Sequence, residues 1–306
     1  MMRIACLLLL VLVAACTQSP PAAEAPTTTP APVAAPKPTA GWTVTENIAT
    51  PESIYYDAAS GFIFTTQING MPTDRDGNGR IVKLNADGTV AAADWVTGLN
   101  APKGLRSHNG TLWTADLDDV VSIDIASGRI TSVAKIAGAQ FLNDVAVGPD
   151  GTVYVSDFLA NRIYAIKDGN VTTFAEGEQL EYPNGLLVDG NRLIVGAWGK
   201  PEADFSTKVP GRLYALDLGT KQKTLITPMP FGNIDGVESD GRGGYLVSDY
   251  LKGKILRVSA NGESTDIQTF MPGAADIGFV PSINAVLVPH MNENKVAAYD
   301  ISGWLK

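Results

Sequence analysis

The chain has 306 residues, 45% of them hydrophobic, which is enough to bury a sizeable core. It carries 32 acidic against 23 basic residues, a formal net charge of −9. That balance argues against a nucleic-acid partner, because phosphate backbones are held by clustered Lys and Arg. Two cysteines occur, Cys6 and Cys16, both near the N-terminus, so the rest of the chain can build neither a disulfide framework nor a thiolate metal site.

Arg3 precedes an apolar run over residues 4–15. The run is too short to span a bilayer and has the length of a signal-peptide core. The small residues Val13-Ala14-Ala15 before Cys16 resemble the lipobox of bacterial lipoproteins, which implies a signal peptide over 1–15 and lipidation of Cys16. The acyl chains would then be the protein's contact with a membrane. Thr17 is not the acidic residue linked with inner-membrane retention, so the expected place is the bacterial cell envelope, at the outer membrane facing the periplasm. Residues 16–40 are rich in Pro, Ala and Thr. They cannot bury enough surface to fold and read as an extended tether. A single domain is expected over 41–306, starting near Trp42, and nothing in the sequence points to an oligomer.

From there one pattern recurs about every 40–50 residues: a tetrapeptide that opens a strand, a Gly or Asp turn, a β-rich strand, a loop and further strands. The tetrapeptides are Pro51-Glu52-Ser53-Ile54, Pro102-Lys103-Gly104-Leu105, Leu142-Asn143-Asp144-Val145, Pro183-Asn184-Gly185-Leu186, Ile234-Asp235-Gly236-Val237 and Ala275-Asp276-Ile277-Gly278. The third unit is the clearest, with strands expected over 145–147, 152–156, 162–166 and 171–174 and turns at Pro149-Asp150-Gly151 and Asp168-Gly169. The fifth copies it, with strands over 245–248, 254–258 and 265–270. No segment sustains a 3.6-residue apolar period, so helices should be few. Six units of four strands predict an all-β, six-bladed propeller. The sixth unit runs short of a fourth strand, and residues 42–48 form a spare strand ahead of the first. Placing that strand in the sixth blade closes the ring and removes an exposed edge.

In such a ring each tetrapeptide stands where the chain enters an innermost strand, so its second residue faces the central channel. Glu52, Lys103, Asn143, Asn184, Asp235 and Asp276 form that ring, and all are polar. The carboxylate and amide oxygens of Glu52, Asn143, Asn184 and Asp235 are what a hard divalent cation such as calcium takes. With no histidine or cysteine in the ring, zinc and copper do not fit. Asn-Gly and Asp-Gly pairs are also turn signals, so backbone capping is the plainer reading of the same residues.

Over about residues 42–301 the chain resembles the senescence-marker-protein/gluconolactonase/luciferin-regenerating group and, more distantly, the paraoxonases. Phe141-Leu142-Asn143-Asp144, Tyr182-Pro183-Asn184-Gly185, Ile234-Asp235-Gly236 and the acidic Glu52 carry the resemblance. It implies a divalent metal, usually calcium, on Glu52, Asn143, Asn184 and Asp235, and hydrolysis of lactones or related esters. The chain departs from the pattern at two places. Phe141 stands where the gluconolactonase branch has an arginine, which counts against a sugar lactone. Lys103 joins the ring beside Glu52, where its ammonium either weakens a cation site or binds a substrate carbonyl or carboxylate.

On this reading the cation polarises a carbonyl, and Asp235 or His290 deprotonates the attacking water. Lys103, Trp198 and Asp276 would contact the substrate. The second strands end at Gln67, Asp116, Asp157, Trp198, Asp249 and His290, of which Asp157 and Asp249 read as turn caps of the NHL type. His108 lies in a turn on the opposite rim. Longer loops over 69–79 and 199–211 reach the same rim as the ring, where pockets are built. Asp74-Arg75-Asp76-Gly77-Asn78-Gly79 begins like a calcium-binding loop but has Asn85 where the bidentate glutamate belongs, so a polar, glycine-rich loop is expected. A non-catalytic, envelope-anchored propeller that binds a ligand or protein, and an enzyme of the strictosidine-synthase type, remain the alternative readings.

Overall fold

The computed structural model describes residues 39–305. The expected signal peptide, Cys16 and the expected tether up to residue 38 lie outside the described residues. The described chain forms six sheets of four antiparallel strands, the six-bladed β-propeller expected from the repeat. Among the described residues the only helical segments are three short 3₁₀ turns, at Glu178–Leu180, Pro281–Ile283 and Met291–Glu293. The innermost strands are Pro51–Asp57, Pro102–His108, Leu142–Val147, Pro183–Asp189, Ile234–Ser239 and Gly278–Val280, which number blades 1 to 6.

The sixth blade is closed by the N-terminal segment, but with a shorter strand than the one expected over 42–48. Only Thr43–Val44 pairs, as the outermost strand, with Ala297 and Val296 of the third strand Lys295–Asp300. Asn47 then takes a left-handed φ of 59°, and the turn delivers Ile48 into the apolar layer between blades 6 and 1. Burying that side chain, at ~1.5–3 kcal/mol, outweighs further pairing on an exposed edge.

The core lies between the blades. Each of the six interfaces holds its own apolar cluster; Leu105 and Val121 with Ile81, for example, fill the gap between blades 1 and 2, and Leu186 and Tyr214 with Ile163 that between blades 3 and 4. Apolar residues are thus consumed by the blade faces, and the channel is left to polar ones.

A β-bulge recurs where five of the six inner strands begin. In blade 1 Pro51 pairs with Gln67 and Ile54 with Thr65, so Glu52 and Ser53 together oppose the single residue Thr66. Blades 2 to 5 repeat the shift. A bulge of this kind re-aims side chains, and here it tips Glu52 and its equivalents to the channel. It also frees a backbone N–H. In blades 1, 3 and 5 a hydroxyl accepts that donor: Ser53 N–H bonds Thr66 Oγ1 (2.9 Å), Asp144 N–H bonds Ser156 Oγ (2.9 Å) and Gly236 N–H bonds Ser248 Oγ (2.8 Å). Ser156 and Ser248 pass the interaction on, donating to the carbonyls of Asn184 and Ala275 in the next blade at 2.7 Å. Blades 2 and 4 have Ala115 and Gly196 at the place of that hydroxyl and, like blade 5, glycine after the ring residue. A side-chain carbon on Gly104 would overlap the Asp144 carboxylate, and one on Gly185 the Asp235 carbonyl oxygen.

Blade 6 carries the same one-residue offset just ahead of its inner strand, with Ala274 opposite His290 and Gly278 opposite Leu287. The Ala275 carbonyl accepts from Ser248 as that of Asn184 does from Ser156. Ala275 therefore holds the ring position and Asp276 the place of Ser53 and Asp144 one residue on, while Pro289 holds the position of the bridging hydroxyl. Asp276 pairs sideways with blade 1 instead: its N–H bonds the Glu52 carbonyl (2.9 Å) and its own carbonyl accepts from Ile54 N–H (3.1 Å).

Candidate functional site

The ring residues are all buried, from 1% exposed for Lys103 and Asn184 to 8% for Asn143. Glu52, Lys103, Asn143, Asn184 and Asp235 line one cavity of about 270 Å³ at the channel end where the inner strands begin, and Trp198 stands in its wall. The structure therefore brings together the quartet Glu52, Asn143, Asn184 and Asp235 with Lys103 and Trp198. Two of the expected site residues are not brought there. Asp276, one residue beyond the ring position that Ala275 holds, is not in the lining, and its Oδ2 accepts from Ser53 Oγ at 2.5 Å. His290 faces the gap between blades 5 and 6, where its Nε2 lies 3.0 Å from the Tyr299 hydroxyl and its ring meets Phe270 edge-on at 4.7 Å. Burial, then the neighbouring Lys295 charge, pull its pKa down to about 4. A base must reach its proton, and this one is 1% exposed and turned from the cavity.

Within the quartet the amides form a chain: Asn143 Nδ2 donates to Asn184 Oδ1, and Asn184 Nδ2 to Asp235 Oδ1 at 3.4 Å. Glu52 Oε2 is buried without a partner, as is Asp276 Oδ1. Lys103 Nζ donates to the Ala101 carbonyl at 2.9 Å and lies 4.7 Å from the centre of the Phe141 ring. Deeper in the channel Arg106 pairs with Glu238 at 2.8 Å, and Asp144 accepts from Val145 N–H and Leu186 N–H at 2.6 Å each.

These groups crowd carboxyls into little solvent. Burial, then the Asp235 and Asp276 charges, push Glu52 well above the usual carboxylate range, against the pull of Lys103. Burial, then Asp276, does the same to Asp235. Burial pushes Asp144 up to about 7. It also pulls Lys103 down to about 8, with Glu52 and Asp116 opposing. Glu52, Asp144, Asp235, Asp276 and Glu238 thus face only two cations, Lys103 and Arg106. Such a channel either holds protons or takes up positive charge.

The donor set fits a hard cation in kind, with two carboxylates and two amide oxygens. Turning each amide about its last torsion brings oxygen where N–H now lies, since the two ends are sterically alike. Among the described residues no three His, Cys, Asp or Glu side chains cluster so as to hold a metal by themselves, so both amides are needed. The calcium-like loop is self-satisfied: Asp76 accepts from Asn78 N–H (3.2 Å) and Nδ2 (2.7 Å), and Arg75 pairs with Asp118.

The residues that end the second strands turn out to be caps. Asp116 accepts from Ala101 N–H at 2.7 Å, Asp157 from Gln140 and Phe141 N–H at 3.0 and 2.9 Å, and Asp249 from Lys252 N–H at 3.2 Å. In five of the six blades the next residue is the one aimed at the cavity mouth: Ile68, Phe158, Trp198, Tyr250 and Met291 line it, while Leu117 of blade 2 does not. Trp198 is one residue beyond the true equivalent of Asp157, which is Ala197, paired with Pro183. Sequence reasoning therefore found Trp198 and missed the collar to which it belongs, although an apolar residue follows every second strand. Both long loops contribute as expected, Pro72 from the first and Phe205 from the second.

No known family profile matches the sequence, and neither does any curated protein sequence. The likeness is one of fold. Solved structures similar to this chain include a gluconolactonase from Xanthomonas campestris (18% identity, TM-score 0.60, covering 83% of this chain and 88% of that one). A virginiamycin B lyase from Staphylococcus aureus, solved as a catalytically inactive histidine variant with quinupristin, gives 14% identity and a TM-score of 0.56 over 84% and 97% of the two chains. A chain of a nidogen/laminin complex gives 12% and 0.62 over 75% and 89%. A gluconolactonase, a lyase and a chain of a nidogen/laminin complex thus share this fold, and function has to be argued from the site.

Proposed function

We propose that the cavity is a divalent-cation-dependent hydrolytic site for a lactone or related ester. One observation carries this reading: Glu52, Asn143, Asn184 and Asp235 converge on one cavity floor, with Glu52 Oε2 buried and unpartnered. Glu52 and Asp235, with the oxygens of Asn143 and Asn184, would hold calcium or another hard cation. When bound, such an ion polarises a carbonyl and stabilises the charge that develops on its oxygen. Asp235 takes the proton of the water that adds to the carbonyl carbon, and returns it to the ring oxygen as the ester C–O bond breaks. Lys103, held 2.9 Å from the Ala101 carbonyl, supplies a second positive group to the developing oxyanion. The gluconolactonase of similar fold supports an ester ring as the bond broken. The lyase offers a different reaction, but its inactive variant is a histidine replacement, and neither His108 nor His290 lines this cavity.

Lys103 also favours a second reading. Its ammonium already offsets Glu52, and a ring neutralised in this way would suit a propeller that binds a ligand without turning it over. Residues 1–16 support placing either activity on the bacterial envelope through a lipid on Cys16. Hydrolysis of a panel of lactones and aryl esters, with and without chelator, separates the two readings. Turnover that chelator abolishes, and that Asp235→Ala and Asn184→Ala each remove, is expected. Turnover indifferent to all three contradicts the hydrolytic reading.

A further inference from the structure

We infer that the ligand presents an uncharged, flat, apolar group above the polar ring, an aryl group or its equivalent, and that Phe205 selects for it. The inference concerns the same site and rests on the reading that a carbonyl-bearing ligand meets the ring below.

The cavity mouth offers a ligand almost no free polar partner. The indole N–H of Trp198 donates to the Phe205 carbonyl oxygen at 3.0 Å, and the Tyr250 hydroxyl to the Met291 sulfur at 3.4 Å. Asp204 Oδ1 accepts from Ser206 N–H and Oγ at 3.1 and 2.6 Å, which leaves Oδ2 as the one carboxylate oxygen there open to a ligand. A hydroxyl-rich ligand would leave its water partners there and find almost no replacements, which is the situation in which sites reject a ligand most strongly. A flat ring is favoured on every side. Phe158 meets Trp198 edge-on at 5.6 Å and lies parallel to Phe205 at 6.0 Å, and Phe141 is 6.2 Å from Phe205. Aromatic groups at these spacings attract a further ring edge-on or offset-stacked.

Phe205 differs from the rest of this wall. It sits at the tip of a small hairpin in the 199–211 loop, where Pro201 bridges to Thr207 and Glu202 N–H donates to the Ser206 carbonyl at 2.7 Å. Its φ is +63°, a left-handed conformation that disfavours bulky side chains and is kept where the surroundings require it. Phe158 and Trp198 are buried at 3% and 6% exposure, whereas Phe205 is 39% exposed. The hairpin thus holds a large apolar ring over the cavity with part of its face in water, and a flat apolar ligand would cover that face. Lys103 Nζ stands 4.7 Å from the Phe141 ring centre, so an organic cation seated against that ring would meet an ammonium, although Asp204 also lines the cavity.

Calorimetric binding to the full chain in detergent tests this without any need for turnover. The probes are 3-phenylcyclopentanone, which cannot be hydrolysed, glucono-1,5-lactone and phenyltrimethylammonium. The ketone should bind, Phe205→Ala should weaken it about tenfold, Phe205→Tyr should restore it, and the other two probes should bind at least about tenfold more weakly than the ketone. Tighter binding of the sugar lactone or the ammonium than of the ketone overturns the inference, as does an unchanged affinity in Phe205→Ala. Ketone binding with that pattern in a protein that opens no lactone would keep the inference and remove the hydrolytic reading. Gluconolactone turnover without ketone binding would do the reverse.

Discussion

Arg106 on blade 2 and Glu238 on blade 5 meet across the channel at 2.8 Å, both side chains close to nine-tenths buried. Each stands three residues along its strand from a ring residue, Lys103 and Asp235, so the pair forms a charged plug under the cavity. The guanidinium also lies 5.0 Å from the Tyr55 ring centre. Buried pairs of this kind tie opposite sides of a structure together more than they add stability, because desolvation offsets much of their attraction. Arg106→Met alone should lower the unfolding free energy by about 3–5 kcal/mol, since it strands a buried Glu238. Arg106→Met with Glu238→Leu should recover most of that loss, and urea unfolding of the single and double variants checks it.

The bridging hydroxyls give a second expectation. Ser156 and Ser248 each join a bulge N–H to a carbonyl of the next blade. Ser156→Ala and Ser248→Ala should each destabilise by about 1–3 kcal/mol, the cost of leaving a buried group without a partner. The sites are on different blades and share no partner, so the double variant should show the sum to within about 0.5 kcal/mol.

The carboxyls set the pH dependence. Burial raises Asp144 from 3.8 to about 7, and Glu52 and Asp235 are shifted the same way. A carboxyl raised on folding holds its proton in the folded state after the unfolded chain has released it. Its stabilising contribution is complete below the unfolded value and is lost as pH rises through the folded one. Chelated protein should therefore melt at a lower temperature at pH 7.5 than at pH 5. Asp144→Asn should flatten that slope, and calcium should reverse the part owed to Glu52 and Asp235. Melting curves at the two pH values, with calcium or with chelator, read all three effects.

Lys103 is the residue on which the two functional readings differ. If it competes with a cation for Glu52, Lys103→Met should tighten calcium binding about tenfold, which corresponds to ~1.4 kcal/mol. The same variant should lose about 10²-fold in kcat, the effect of removing one oxyanion-stabilising group. Calorimetry and steady-state kinetics on that variant report the two effects separately.

The repeat was legible because each tetrapeptide combines a turn-in with one polar residue, and because the apolar blade faces leave the channel as the place for Glu52 and its equivalents. Five of the six ring positions accordingly line the cavity. Asp276 does not, because the ring position of blade 6 belongs to Ala275: Ala274 pairs with His290 as Pro51 does with Gln67 and Ile234 with Asp249, which puts Asp276 one residue too far along. His290 occupies the right repeat position, but that position caps or buries its side chain in every blade. The side chain aimed at the mouth belongs to the following residue, so the collar of Ile68, Phe158, Trp198, Tyr250 and Met291 was hidden by a one-residue shift, which in a strand exchanges one face for the other. The closing strand shrank to Thr43–Val44 because Ile48 is drawn into the core.

The central claim is that the polar ring holds a cation, and calcium titration of the chelated full chain by calorimetry, paired with native mass spectrometry, tests it most directly. One calcium per chain is predicted for the wild type, with binding lost in Asp235→Asn and in Asn184→Leu while both variants melt cooperatively. No calcium on the wild type, or undiminished binding in both variants, would contradict it.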